Sequence, residues 1–494
     1  MVARAVAILA LGTLTAQEYA GSRACAPCHA DVAKRYSTSG MARSAAVAPS
    51  MPSAKISALQ RLFEVFTKDG QLWQRESGEG FTNEHQVAYA IGSGANGVSY
   101  AVKRGDHLFQ APLSWYAKTK SWELSPGYEH ADYAFNRPIA AGCIACHAGR
   151  PRVVPLSSGR FLDPPFDELA IGCENCHGPG ALHTRSAKPA DIVNPAKLPR
   201  ARAEEVCMNC HQGGDARVLM PGKTEFSFRP GRVLSESVAI FQAPSGADTD
   251  LLQHHEAMRE SACFQKSSTL TCHTCHSPHG ASNDFNAKCA TCHQPHGKGP
   301  DCVGCHMPKR PVGFIAHAAL TNHRISLKPR APVAGALRQF NEGPAPDPTT
   351  LFQAYGQALA KRPDFATRFE ATLRAASGPI ASAARGRAAL RAGRFDEAIV
   401  SLREALEKGY RIAAVYEDLG DALGRAGRLD ESLAALREGL AVAPFSQTLH
   451  KSIALRHIQK KDYDAARKAL ESYVQLFPED DFVRRLLRQV SGPG

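Results

Sequence analysis

Along the last third of the chain, apolar side chains recur at the three- and four-residue spacing that gathers them on one face of a helix. The pattern then repeats itself. Equivalent positions return every 34 residues: Gly393 and Gly427; Phe395, Leu429 and Tyr463; Asp396, Asp430 and Asp464; Leu402, Leu436 and Leu470; Pro444 and Pro478. Stacked helix pairs are predicted from Ala381 to Gln489, with a further, degenerate pair over Leu351 to Ala376. Small residues such as Ala388, Gly420 and Ala422 mark the places where paired helices must approach closely. Between Phe63 and Pro138 the rhythm changes to short apolar and polar alternations, rich in aromatic and β-branched residues and cut by glycine. That stretch reads as a small antiparallel β element. The rest of the chain before Lys328 has little periodicity, which predicts short helices and long loops.

A period of 34 is the signature of the tetratricopeptide repeat (TPR), whose helix pairs bury their apolar faces only against neighbouring pairs. The expected fold is therefore mainly α: a loop-rich domain with a small β element over residues 17–327, a proline-rich linker over 328–349, and an α-solenoid over 350–494. Arrays of this kind present a groove to other proteins, so a protein partner is expected there. At the other end, Arg4, the apolar run Ala5 to Leu11 and the small residues Thr13 to Ala16 resemble a secretory signal, residues 1–16. Export to a periplasmic or similar compartment is expected. No later apolar run reaches the length of about eighteen residues that a spanning helix needs, so no transmembrane span is expected.

Composition divides the chain in the same place as the pattern. All 15 cysteines lie between Cys25 and Cys305, and of the 20 histidines only His450 and His457 lie beyond His323. The formal charge of +12 comes from Lys and Arg scattered through both halves without a basic block. Nucleic-acid binding is therefore not expected, whereas a basic surface suits acidic redox partner proteins.

The cysteines fall into one motif used seven times, C-x-x-C-H: Cys25/Cys28/His29, Cys143/Cys146/His147, Cys173/Cys176/His177, Cys207/Cys210/His211, Cys272/Cys275/His276, Cys289/Cys292/His293 and Cys302/Cys305/His306. This is the attachment motif of haem c. Two thiols at that spacing reach the two vinyl groups on one porphyrin edge, and the adjacent imidazole falls beneath the iron as its proximal ligand. Structural zinc takes four protein ligands per ion. An odd number of motifs, each with an invariable His after its second Cys, does not divide that way. Extracellular cysteines ordinarily suggest disulfides, but disulfides require no such histidine. Seven covalent haems are expected. Eleven histidines of this region lie outside the proximal positions, enough to give every iron a second imidazole.

The segments CENCHGPGALH (Cys173 to His183), SACFQKSSTLTCHTCHSPHG (Ser261 to Gly280), CVGCHMP (Cys302 to Pro308) with TNHRI (Thr321 to Ile325), and CAPCHADVAKRYSTSGMARS (Cys25 to Ser44) carry a family resemblance. They resemble the multihaem cytochromes c related to hydroxylamine oxidoreductase, pentahaem nitrite reductase and the tetrahaem relay cytochromes, in the branch with a C-terminal TPR domain. The resemblance implies distal ligands at His183, His279, His323 and one of His254 and His255, with His255 taken for the pair; His85 and His296 are further candidates. In one respect the chain departs from the family's enzymes, because the CK-type motif of a lysine-ligated catalytic haem is missing. Cys263-Phe-Gln-Lys266 lacks its second Cys, and Cys263 reads as a packed thiol. An electron-transfer protein is the expected function, and the alternative is an oxidoreductase acting on a small nitrogen or sulfur species at one open haem.

Overall fold

The computed structural model describes residues 18–128, 133–243, 254–280, 284–294, 296, 301–311, 319–327 and 335–492. The expected signal segment lies outside them, as do His130 and His317.

The alternating stretch builds far more than a small β element. Ten strands form one antiparallel sheet: β1 (Ala45–Val47), β2 (Ala54–Ala58), β3 (Arg61–Lys68), β4 (Gln71–Gly78), β5 (Phe81–Ile91), β6 (Gly97–Arg104), β7 (His107–Gln110), β8 (Leu113–Tyr116), β9 (Ser121–Leu124) and β10 (Arg137–Pro138). The spatial order β10-β7-β6-β5-β4-β3-β2 is a meander, with β1 added to β5 and the β8–β9 hairpin to β6. Two-residue turns drive it. Leu59-Gln60 and Asp69-Gly70 both hold positive φ at both positions, the conformation whose twist matches that of the flanking strands. Alternation then sends Phe63 and Val65 of β3 and Leu72 of β4 inward. There they join Val87, Tyr100, Val102, Phe109, Leu113, Trp122 and Phe135 in one core.

The helical pairs stand where the period places them: Pro379–Arg391 with Phe395–Glu407, Ala413–Arg425 with Leu429–Val442, and Gln447–Gln459 with Tyr463–Leu476. Asp481–Ser491 closes the array, and Pro348–Ala358 with Ala366–Ala375 precedes it. Close approach is set by Gly386 and Gly420, one period apart. A Cβ at Gly420 would lie 2.4 Å from Leu436, and one at Gly386 would lie 2.6 Å from Leu402. Ala422 is buried as expected. Ala388, read as a contact position, is exposed, because it lies two residues past the face that Gly386 and Ala389 turn inward.

Neither end of the array stands free. The helix Pro348–Ala358 packs Ala354, Tyr355 and Ala358 against Ala216, Val218, Ala239 and Phe241 of a three-stranded sheet. The third strand of that sheet, Arg338–Gln339, comes from the segment read as a linker. At the far end the array docks on the ten-stranded sheet. The Arg104 guanidinium of β6 donates to the Leu476 carbonyl at 3.0 Å and lies over the rings of Phe109, Phe445 and Phe477. Asn136 donates to the Glu479 carboxylate at 2.6 Å.

The cysteine-rich segments differ in kind. Among the described residues between Arg259 and Leu337, no apolar side chain is buried. Three of the seven motifs fall in that stretch. Among the described residues, no helix is long and apolar enough to cross a membrane.

Candidate functional site

Most motifs sit on short helical turns: Cys173–His177, Cys272–Cys275, Cys302–His306, the last turn of Arg200–His211, and the helices Ala141–Ile144 and Phe285–Ala290 that hold Cys143 and Cys289. The first motif follows the turn Ser22–Ala24, and its His29 caps the helix Ala30–Tyr36. On a helix, residues i, i+3 and i+4 share a face. Both thiols and the histidine of a helical motif therefore present to one side. No disulfide joins any of the 15 cysteines. Thiols of different motifs stand together, Cys25 beside Cys173, Cys146 beside Cys210, and Cys207 beside Cys272. Burial, with Cys173 adding to it, pushes the Cys25 thiol up to about 11.

Cys28, Cys143, Cys292 and Cys305 are exposed. Each is one member of a motif whose other thiol is less open. The first motif shows the physical reason. Cys25 is drawn against Cys173 by the contacts that join the first and third motifs, whereas Cys28 lies in the turn between Ser22–Ala24 and Ala30–Tyr36 and faces outward.

Five motif histidines each face a second imidazole. His29 stacks on His183 with centroids 6.3 Å apart, and His177 on His279 at 6.0 Å and 6°. His276 stacks on His323 at 6.1 Å, His211 faces His254 at 5.9 Å, and His306 faces His296 at 5.9 Å. The first two partners lie far along the chain from their motifs. The imidazoles of His254 and His323 are themselves only 4.5 Å apart. Four histidines thus run in a row: His211, His254, His323 and His276.

Backbone carbonyls fix several of these rings. His177 Nδ1 lies 2.8 Å from the Val193 carbonyl, His183 Nδ1 2.9 Å from that of Lys188, and His323 Nδ1 3.0 Å from that of Thr321. A carbonyl only accepts, so Nδ1 carries a proton, and in a neutral ring the Nε2 lone pair is then the one left for a metal. This is the second-layer arrangement that orients metal-binding imidazoles. Burial, with His323, His211 and His276 close by, pushes His254 down to about 3, which keeps its ring neutral.

The adjacent imidazoles of His254 and His255 face different neighbours. His255 is buried and its Nε2 meets the Glu204 carboxylate at 2.8 Å, between the rings of Phe264 and Phe340. His254 is the one turned to the other imidazoles. His85 lies on β5 opposite Gln74, against Phe135 at 4.6 Å, and burial together with the Arg104 charge lowers it to about 4. Among the described residues no imidazole stacks on His85 or His147. His293 faces sulfur: the Cys263 Sγ is 3.9 Å from its Nε2.

Sequence reasoning missed the strap that joins the first and third motifs. Glu174, inside CENCH, is buried, and its carboxylate accepts from the backbone N–H of Ala20, Gly21 and Gly180 at 2.7 to 2.8 Å. Glu168 accepts from Ser22 N, Ser22 Oγ accepts from Cys173 N, and Tyr36 donates to the Ile171 carbonyl. The one available signal was a carboxylate placed between two cysteines and followed by Gly-Pro-Gly.

Comparison with known proteins bears on the helical part. Residues 417–481 match the tetratricopeptide-repeat family. Solved structures similar to this chain include the first TPR domain of human RPAP3, at 15% identity over 23% of this chain and 89% of that one, TM-score 0.22. MamA from Desulfovibrio magneticus is similar at 22% identity over 27% and 78%, TM-score 0.24, and Pseudomonas aeruginosa pilF at 21% over 28% and 67%, TM-score 0.25. No curated protein matches the sequence. The C-terminal region is a TPR array, a class of domain that binds protein partners.

Proposed function

We propose that this chain is an exported multihaem c-type cytochrome, carrying electrons through seven covalently attached haems and docking a redox partner through its TPR array. The pairing of imidazoles is the observation that carries the proposal: five C-x-x-C-H histidines each face a second ring at 5.9 to 6.3 Å. Two imidazoles on opposite sides of one metal, with metal–nitrogen bonds of about 2 Å, have centroids about 6 Å apart. A metal held by only two protein donors must bring the rest of its coordination shell with it, as a porphyrin iron does. Among the described residues, no group of three or more His, Cys, Asp or Glu gathers to hold a bare ion. The segment between Arg259 and Leu337, with three motifs and no buried apolar side chain among its described residues, also suits a region whose core is cofactor.

Haem, when bound, supplies reversible one-electron exchange. The chain's own residues do the rest. The cysteine pairs would anchor the porphyrin, and the motif histidines would hold its iron. His183, His279, His254, His323 and His296 would each supply a second imidazole, which would leave those five sites no open position for a substrate. That favours relay over catalysis at these sites. The 4.5 Å contact of His254 with His323 supports a close approach of the fourth and fifth sites, which would shorten the path of an electron between them.

A pyridine haemochrome assay on the mature protein should count seven haems per chain, and two or three would end the reading. Electron paramagnetic resonance of the oxidised protein tests the ligand set. Replacing His254 with Ala should convert one low-spin haem to high spin, while His255→Ala should leave every axial signal in place. The reverse outcome would restore His255 as the ligand.

A further inference from the structure

The sixth motif stands apart, because the atom facing its histidine is sulfur. Cys263 is the one cysteine outside the seven motifs, and its Sγ lies 3.9 Å from His293 Nε2. Metal bonds of about 2.3 Å to sulfur and about 2.0 Å to imidazole nitrogen, as transition metals such as zinc show, would separate collinear donors by about 4.3 Å. The observed gap, which an S–H···N hydrogen bond also spans, is close to that separation. Cys263 is held in place. Its helix, Ala262–Lys266, is capped by buried Ser261, which accepts from Phe264 N at 3.1 Å and donates to the Met258 carbonyl at 2.7 Å. The Arg200 guanidinium lies 3.7 Å over the next ring, Phe264. The sulfur also borders the thiols of the fifth and sixth motifs, Cys275 and Cys289.

We propose that Cys263 is the sixth ligand of the haem attached at Cys289 and Cys292, making this site imidazole–thiolate while the five paired sites are bis-imidazole; the assignment rests on the haem reading above. In binding, the thiol proton passes to solvent and a sulfur lone pair fills the position opposite His293. No electron changes hands in that step. The thiolate adds negative charge at the iron and stabilises its oxidised form, so this haem has the lowest potential of the set.

The oxidised full-length protein decides the question by electron paramagnetic resonance and near-infrared magnetic circular dichroism. A low-spin signal of narrow g-spread, with a sulfur-to-iron charge-transfer band, should integrate to one haem in seven and be the last to disappear in a reductive titration. Cys263→Ala should abolish that signal and leave the others. Cys263→His should replace it with a bis-imidazole signal that is reduced earlier. Seven haems by pyridine haemochrome without any thiolate signal in the unaltered protein would overturn this assignment alone, as would a signal that survives in Cys263→Ala. A deficit of haem would instead count against the reading on which it rests.

Discussion

The stretch from Cys263 to Leu327 and the repeats from Pro379 to Ser491 solve the folding problem in opposite ways. In the repeats each pair buries leucines and alanines against the next: Leu402, Leu419, Leu423, Leu436, Leu449, Leu470 and Tyr473 are all almost fully buried. Their stability is made of local and nearest-neighbour contacts. In the cysteine-rich stretch the described residues bury only Asn322. Helices of four to six residues such as Cys272–Cys275 and Phe285–Ala290 are too short to persist on their own. One region carries its core in its side chains, and the other, on the proposed reading, takes its core from haem.

That contrast breaks most visibly if the cofactor is withheld. Protein produced without covalent haem attachment should be cut rapidly by protease between Cys263 and Leu327, while peptides from Pro379 to Ser491 stay protected. Equal protection of both regions would remove the contrast. The next largest effect lies in the repeats. Leu436 is fully buried against Gly420, and Leu436→Ala should cost about 2–5 kcal/mol of array stability. Urea unfolding followed by far-ultraviolet circular dichroism would measure it, with the visible absorption of the haem region unchanged at low urea.

How much of this the sequence discloses follows from the same contrast. The repeats are legible because a periodic core writes itself into residues 34 apart, as Leu402, Leu436 and Leu470 show. The exception, Ala388, fails because the face is set by geometry two residues away. The C-x-x-C-H motifs are legible because their spacing is local and repeats seven times. Their surroundings are not: the same spacing leaves Cys25 against Cys173 and Cys28 open to solvent. Nor are their partners. His254 and His255 are neighbours on a helix, where each step turns by about 100°, and only the packing of Glu204 decides which one looks inward. The extent of the sheet was hidden because β1 and β10 join it through pairings remote in sequence. Its contact with the array links Arg104 to Leu476, 372 positions apart, which no local pattern encodes.

A smaller effect sharpens the comparison within the cysteine-rich part of the chain, where polar straps join the first and third motifs. Glu174→Gln keeps Oε1 for Ala20 and Gly180 but turns an amide N–H toward the Gly21 N–H. Donor then meets donor in a buried place, at a cost of about 1–3 kcal/mol. Hydrogen exchange at Ala20 and Gly21 should quicken, while exchange in the repeats stays as it was. Unchanged exchange would mean that the apolar contacts of this segment suffice.

The smallest effect concerns acid, and it tests whether the last helix is held by charge as well as by apolar burial. Asp480 caps Asp481–Ser491: its carboxylate accepts from Val483 N at 3.1 Å and from the Tyr473 hydroxyl at 2.6 Å, with Lys451 Nζ at 2.5 Å. Burial raises this carboxyl, but Lys451, the Tyr473 hydroxyl and the Val483 N–H together outweigh it and leave it below the ordinary value. A carboxyl depressed in the folded state contributes stability above its unfolded pKa of about 3.9, and that contribution is lost as pH falls through the lower folded value. Solvent screening keeps it to at most about 1 kcal/mol. Exchange protection of Asp481–Ser491 should therefore hold from neutral pH to about 4 and weaken below it. Asp480→Asn keeps an acceptor for Val483 N but has no charge to lose, so its protection should be lower at neutral pH and flat across the acid range. A variant that still weakens in acid would assign the effect to another carboxyl, and the apolar contacts of Val483 and Phe477 would then hold the helix without Asp480.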